Sequence, residues 1–551
     1  MHSNTHFRRK FSGWLSYAFA SEVFVIVSLT LFLPICLEQF ARDNGYLLPE
    51  KTERCVVDKQ AAESSERCVV KIGWLWVDTA SFSLYVYSIS VALQALTVIS
   101  LGGIADNPSH RKRLLLGFAI SGAVAAMLFL ALSSSSPLWF LAAILAVTAN
   151  VGFGVSIVAM NAYLPSLAKE SPEVVDALVQ LQEAEANDSA SDNHEEDTVE
   201  DAATHDQPLI YRSSDKVDEL RLQYERKLSH ATSRISSMGI ALGYAAGICL
   251  LIVALIPVTK LKGSTFALRL AIGLSGAWWA VFSVPAALWL PGAGASSEPG
   301  SGVWTSSEDS TSGKWSVWRE IKAAWRRLGG MLRWSEIKKL RNTFKYLAAW
   351  FLLSDGFTTI SSTAILFAKT SLKMPASSLV LIGVLTPMAG ILGSLIWPKL
   401  QHRFGWSNLK VLVILLVLSS LVPAYGCFGF LSVFQGPHFG GLTTPEEMFA
   451  LAAYFGLMYG AFQGYARAVY AELIPPGEEA RWYALFSITD KSSSFVGPLI
   501  VGLISDLTGN IRYSFFFLVF MIWLAIPILL AVDVQKGRKD AQMYRYGAAS
   551  H

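Results

Sequence analysis

The stretch "SYAFASEVFVIVSLTLFLPICL", Ser16–Leu37, decides the fold. A helix of about 20 apolar residues crosses the ~30 Å hydrocarbon core of a bilayer, and this segment is long enough to do so. It is too long for a signal-peptide core and has no small-residue cleavage site behind it, so it is expected to be a first membrane span. Yet it carries Glu22, and an ionised group in hydrocarbon costs at least ~3 kcal/mol. That acid needs a reason.

The chain has 551 residues, of which 52% are hydrophobic and only 16% charged. Its mean hydropathy is +0.41. Apolar residues recur in runs of spanning length, which defines an all-α polytopic membrane protein. Twelve spans are expected, at 16–37, 79–104, 114–134, 138–164, 235–258, 266–290, 344–369, 378–397, 408–431, 449–473, 483–507 and 511–532. They divide into two six-helix halves. Segments 1–168, 235–290 and 344–532 hold the spans, with a lumenal loop at 38–78 and cytosolic segments at 169–234, 291–343 and 533–551. A net charge of +3 in such a chain says nothing about nucleic acid; the partner expected is the lipid bilayer, with no nucleic acid.

Basic residues set the orientation. They cluster at Arg8–Lys10, Arg111–Arg113, Lys314–Lys345, Lys399–Lys410 and Lys536–Lys539, all in loops of one side. The positive-inside rule puts both termini in the cytosol. "ERCVV" occurs twice in the first lumenal loop, bringing Cys55 and Cys68 into an oxidising compartment. They are expected to form one disulfide, the alternative being two free thiols. Segment 169–234, acidic at its centre and poor in large apolar residues, reads as disordered. Asn187 is a glycosylation acceptor on the wrong side of the membrane. Farther on, Trp315, Trp318, Trp325 and Leu332 share one face of a basic helix, the pattern of an interfacial amphipathic helix.

Glu22 lies twelve residues beyond Lys10, and Asp355 lies ten beyond Lys345. At ~1.5 Å per residue both acids fall near the midplane, where twofold-repeated transporters bind solute. Span ten carries Arg467 and Glu472. Arg467 either meets a substrate carboxylate or pairs with Glu472 as a cytosolic lock. Asn150 and Asn161 occupy the corresponding span four, and Asp490 and Lys491 open span eleven. Adjacent residues point to different helix faces, so mutual pairing is not their whole role. Gly239–Gly247 ("GIALGYAAG") suits close helix packing. "GGIADNPSHRKR", with Asp106, Arg111 and Arg113, resembles the cytosolic signature of the major facilitator superfamily, although "NPSH" replaces its centre. No phosphate loop, metal-ligand spacing or nucleophile elbow is present, so neither an enzyme nor a cofactor is expected.

"GWLSYAFASEVF", "LEQFARDNGYL" and "RAVYAELIPPGEEARWYALFSITDKSSSFVGPL" together resemble the fungal autophagy-related protein 22 family, over nearly the whole chain and in the same order. That resemblance implies a major-facilitator-type fold in the vacuole membrane. It also implies export of amino acids such as leucine, isoleucine and tyrosine to the cytosol after autophagic breakdown. A zwitterion needs both charges met, which Glu22 or Asp355 with Arg467 would do. An acidic lumen adds proton coupling as a hypothesis. Family members often carry a proline after the Ser-Glu of span one. Val23 stands here, and a straighter helix beside Glu22 is expected. Alternatives are transport of a peptide, sugar or drug, or a non-transporting scaffold; the oligomeric state expected is a monomer.

Overall fold

The computed structural model describes residues 2–55, 67–106, 108–195, 209–292, 317–431, 440–475 and 478–544. The first half opens with helix α1 (His2–Val23), a π-helical segment (Phe24–Phe32) and α2 (Leu33–Asp43). A small antiparallel sheet of β1 (Tyr46–Leu47), β2 (Cys68–Ile72) and β3 (Leu75–Asp78) follows. Next come α3 (Thr79–Asp106), α4 (Pro108–Leu128), α5 (Leu141–Asn161), α6 (Leu164–Lys169), α7 (Pro172–Glu195), α8 (Leu209–Lys260), α9 (Thr265–Phe282) and α10 (Val284–Trp289). Linker helices α11 (Val317–Met331) and α12 (Trp334–Lys339) lead to α13 (Arg341–Thr370). The second half continues with α14 (Ala376–Phe404), α15 (Asn408–Phe428), α16 (Pro445–Ala471), α17 (Glu479–Ser493), α18 (Val496–Thr508), α19 (Ser514–Leu530) and α20 (Val534–Met543).

Among the described residues, nine segments are long and apolar enough to cross a bilayer. They coincide with nine of the twelve expected spans. The other three are helical but fall outside that standard. These are α4, with three basic residues in its first turns, α16, and the interrupted pair α17–α18. Near the start of the described chain Lys10 pairs with Glu170 at 2.9 Å, and near its end Arg538 pairs with Glu472 at 2.8 Å. At the sheet, Cys55 is joined to Cys68.

Segment 169–234 corrects the reading of disorder. It is helical over Pro172–Glu195 and again from Leu209, with residues 196–208, which include most of the acidic run, outside those described. Val174, Ala177 and Leu181 recur at three- and four-residue spacing and are buried, as are Ala231 and Ile235 on α8. Arg234 closes the pair on Glu173 at 2.9 Å. The sequence hid this because α7 has too little apolar surface to fold alone. Its partner is the continuation of a membrane span.

At the sheet face α16 starts with a capping box built on Thr444 and Glu447. Glu447 also accepts from Tyr425 Oη at 2.7 Å and from the Leu442 amide at 2.8 Å. Burial alone would raise its pKa, but these hydrogen bonds hold it down at about 2. A depressed folded-state value contributes stability above the ordinary ~4.5 and loses it as pH falls toward 2. Glu447→Ala is therefore expected to cost about 2 kcal/mol at neutral pH. In detergent, the gap between the variant's and wild-type thermal midpoints should narrow below about pH 4.5 and be smallest near pH 2. A constant gap would show that the ionised cap is not responsible.

Candidate substrate cleft

Glu22 owes its position to glycines. Gly239, Gly243 and Gly247, four apart on α8, receive Trp14, Glu22 and Ile26 of span one. A side chain at Gly243 would collide with the Glu22 stem, so the two helices touch there as small-residue spacing predicts. The Glu22 side chain is half-buried and stays within electrostatic range of Lys491 and Arg467, both from the second half. Tyr244, one residue beyond Gly243, lies in range of both Glu22 and Arg467. Arg467 itself is exposed on the cleft side of α16, as is Gly464 one turn earlier.

Lys491 reaches Asp490 at 3.4 Å, and Asp490 accepts a hydrogen bond from Ser354 of α13. Tyr459 and Tyr87 lie in electrostatic range of Asp490, with Gln463 donating to Tyr459 Oη at 3.0 Å. Cations and anions from the two halves thus lie within electrostatic range of one another, with tyrosine side chains among them. Of the two readings of Arg467, the lock is absent here. Glu472 instead accepts from Asn408 at 2.6 Å and pairs with Arg538, which fastens α20 to the bundle.

Asp355 is placed differently. It is buried, and its Oδ1 accepts from the Gly497 amide at 2.9 Å. Span eleven is broken at that point. Pro498 cannot donate to the preceding turn, so α17 stops and α18 starts afresh. Ser493 and Ser494 hydroxyls turn back to the Asp490 carbonyl, and Ser88 of α3 donates to the Phe495 carbonyl at 2.7 Å. Asp355 therefore caps the free amides of α18 from a neighbouring helix, where the positive end of the helix dipole favours a carboxylate.

Asn150 is buried between α5 and α3, donating to Ser90 Oγ at 2.7 Å and receiving Gln94. Asn161 is exposed at the end of α5. Arg111 stacks over the Tyr163 ring at 4.9 Å and Arg113 is exposed, while the Asp106 side chain lies outside the described residues. Sequence reasoning missed Ser90, Gln94, Tyr244, Ser354 and Tyr459. Each is an ordinary polar residue in an apolar run, with no signal in spacing alone. Span one also departs from expectation. Val23 itself is α-helical, but the nine residues that follow it widen into a π-helix rather than a straight α-helix. Such segments interrupt the hydrogen-bond ladder and occur often at functional sites.

The halves are latched at the sheet face. Arg67, beside Cys68, pairs with Asp78 at 3.1 Å and Asp506 at 3.5 Å, and Ser81 donates to the Gly502 carbonyl at 2.8 Å. Burial pushes the Asp78 carboxyl up, against the pull of Arg67. Arg67→Ala should let this face open. A cysteine placed at Ser81 would then become labelled by an impermeant maleimide at least several-fold faster than in the wild-type background; unchanged labelling would exclude the latch.

Residues 6–542 match the family described as "Vacuole effluxer Atg22 like". Autophagy-related protein 22 of Cryptococcus neoformans is 44% identical, over 96% of this chain and 95% of the relative. The protein of that name from Pyricularia oryzae is 38% identical over 97% and 77%. Solved structures with the same fold include the inward-open xylose transporter XylE of E. coli, at TM-score 0.51 and 10% identity, covering 96% of both chains. The nucleoside transporter NupG matches at TM-score 0.52 and 11% identity, over 96% of this chain and 99% of that one. These distant likenesses show the major-facilitator fold alone. The sequence matches go further: the chain belongs to the Atg22-like vacuole effluxer family.

Proposed function

We propose that this transporter exports neutral amino acids, such as leucine, isoleucine and tyrosine, from the vacuole lumen to the cytosol. It does so by alternating access, as a monomer with both termini cytosolic. One observation carries the reading: half-buried Glu22 of one half lies within electrostatic range of Arg467 and Lys491 of the other, and Arg467 is exposed. An α-ammonium and an α-carboxylate are matched by that opposition, and charge-assisted hydrogen bonds supply specificity for both. Because the charges belong to different halves, bound solute links the two bodies that must rock past each other. Glu22 is also the group proposed to carry a proton.

Counterflow with purified protein in proteoliposomes tests this. Vesicles preloaded with unlabelled leucine should accumulate labelled leucine, isoleucine and tyrosine, and should ignore xylose and uridine. Accumulation of a sugar or nucleoside with no amino acid would overturn the proposal. Uptake indifferent to collapse of the pH gradient would remove the proton.

A further inference from the structure

The linker joining the two halves carries a surface that the transport cycle does not use. From Val317 to Arg341 it contains eight basic residues, Arg319, Lys322, Arg326, Arg327, Arg333, Lys338, Lys339 and Arg341, against two acids, Glu320 and Glu336. Both acids are engaged within the protein, Glu320 with Arg327 at 3.7 Å and Glu336 with Lys339 at 3.0 Å and with Tyr544. Eight basic residues less two acids leave the segment with a net charge of +6.

Trp318 is 80% exposed and Trp334 70%, an unusual cost for a soluble surface. Trp318 and Trp325 are seven residues apart on α11 and both are exposed, with Arg319, Lys322 and Arg326 beside them and exposed Leu332 just past the helix end. Ile321 and Leu328, three and four residues from these positions, adjoin the same face and are less exposed. The helix is also tied to the bundle: Trp325 Nε1 donates to Ser100 Oγ of α3 at 3.2 Å. α3 is the helix that meets α17 and α18 across the two halves. A ligand seated on the linker helix therefore acts on the element that joins the halves.

We infer that α11 and α12 form a seat for anionic phospholipid of the leaflet on the termini side, and that lipid held there raises the transport rate through the contact with α3. Indole rings prefer the headgroup boundary, and basic side chains next to them gain about fivefold in affinity per charge near an anionic surface. The inference rests on the proposed orientation only for calling that leaflet cytosolic; the lipid chemistry follows from the residues.

Two readouts separate this from the transport reading. In the first, tryptophan quenching by brominated phosphatidylserine is compared with that by brominated phosphatidylcholine, in wild type and in Trp318→Phe. The quenching lost on substitution should be several-fold larger for the anionic lipid, whatever the solute. In the second, Arg326→Gln/Arg327→Gln/Arg333→Gln should lower the preference for phosphatidylserine by about a hundredfold while counterflow in pure phosphatidylcholine stays at the wild-type rate. Adding phosphatidylserine should then raise the wild-type rate several-fold and leave the variant unchanged. Equal stimulation of both proteins, equal quenching by both lipids, or full stimulation by soluble inositol hexaphosphate would each overturn the lipid seat.

Discussion

Arg467→Gln lowers leucine counterflow by roughly thirtyfold or more, because a charge-assisted hydrogen bond to the solute carboxylate contributes about 2 kcal/mol or more. Glu22→Gln keeps the side chain's shape on Gly243 and removes only the charge, so a loss of similar size is expected from the opposite end of the solute. Solute analogues tell the two ends apart. An amine lacking the carboxylate should compete equally well against wild type and Arg467→Gln; a carboxylic acid lacking the amine should do so against wild type and Glu22→Gln. Arg467→Lys should recover part of the rate, since it keeps the charge and loses the planar fork. Wild-type counterflow in a folded Arg467→Gln protein would exclude the arginine from solute binding.

The second large effect concerns stability. Asp355→Ala should cost about 3 kcal/mol, adding a lost helix cap to a buried amide left without a partner. Gly497→Ala should be as damaging, because a Cβ there would collide with Thr359 Oγ1 and crowd Asp355 Oδ1 at 2.8 Å. Removing the obstructing hydroxyl with Thr359→Ala should restore part of the Gly497→Ala loss, a coupling expected of touching residues. Thermal midpoints in detergent read all of these. Asp355→Asn is the discriminating variant, since its amide oxygen can still accept from Gly497. It should keep most of the stability and most of the transport. Stable protein with transport abolished would instead assign Asp355 to the transport chemistry.

What the sequence made legible was whatever depends on position along the chain. Apolar run length located nine of the twelve expected spans, and the repeated "ERCVV" placed Cys55 with Cys68. What it obscured was azimuth. Glu22 and Asp355 stand at matching distances from Lys10 and Lys345, yet one looks into the cleft and the other caps a broken helix. Depth along a helix does not say which neighbour a side chain meets. The same limit hid Gln94 and Ser90 beside Asn150, and sent Glu472 to Arg538 rather than Arg467. The π-helix after Val23 escaped for a related reason: a single chain of β-branched and aromatic residues carries no mark of a widened turn.

Helix α8 is 52 residues long, and its bilayer-crossing part, Arg234–Lys260, takes up 27 of them. At ~1.5 Å per residue the other 25 project roughly 37 Å outward, so each degree of tilt in span five sweeps the tip by about 0.65 Å. Braced by α7, this outrigger would magnify the rocking that the proposed alternating access requires of the first half into displacements large enough for a pair of dyes to register. A dye at its tip would then report the internal state of the transporter from well beyond the membrane surface.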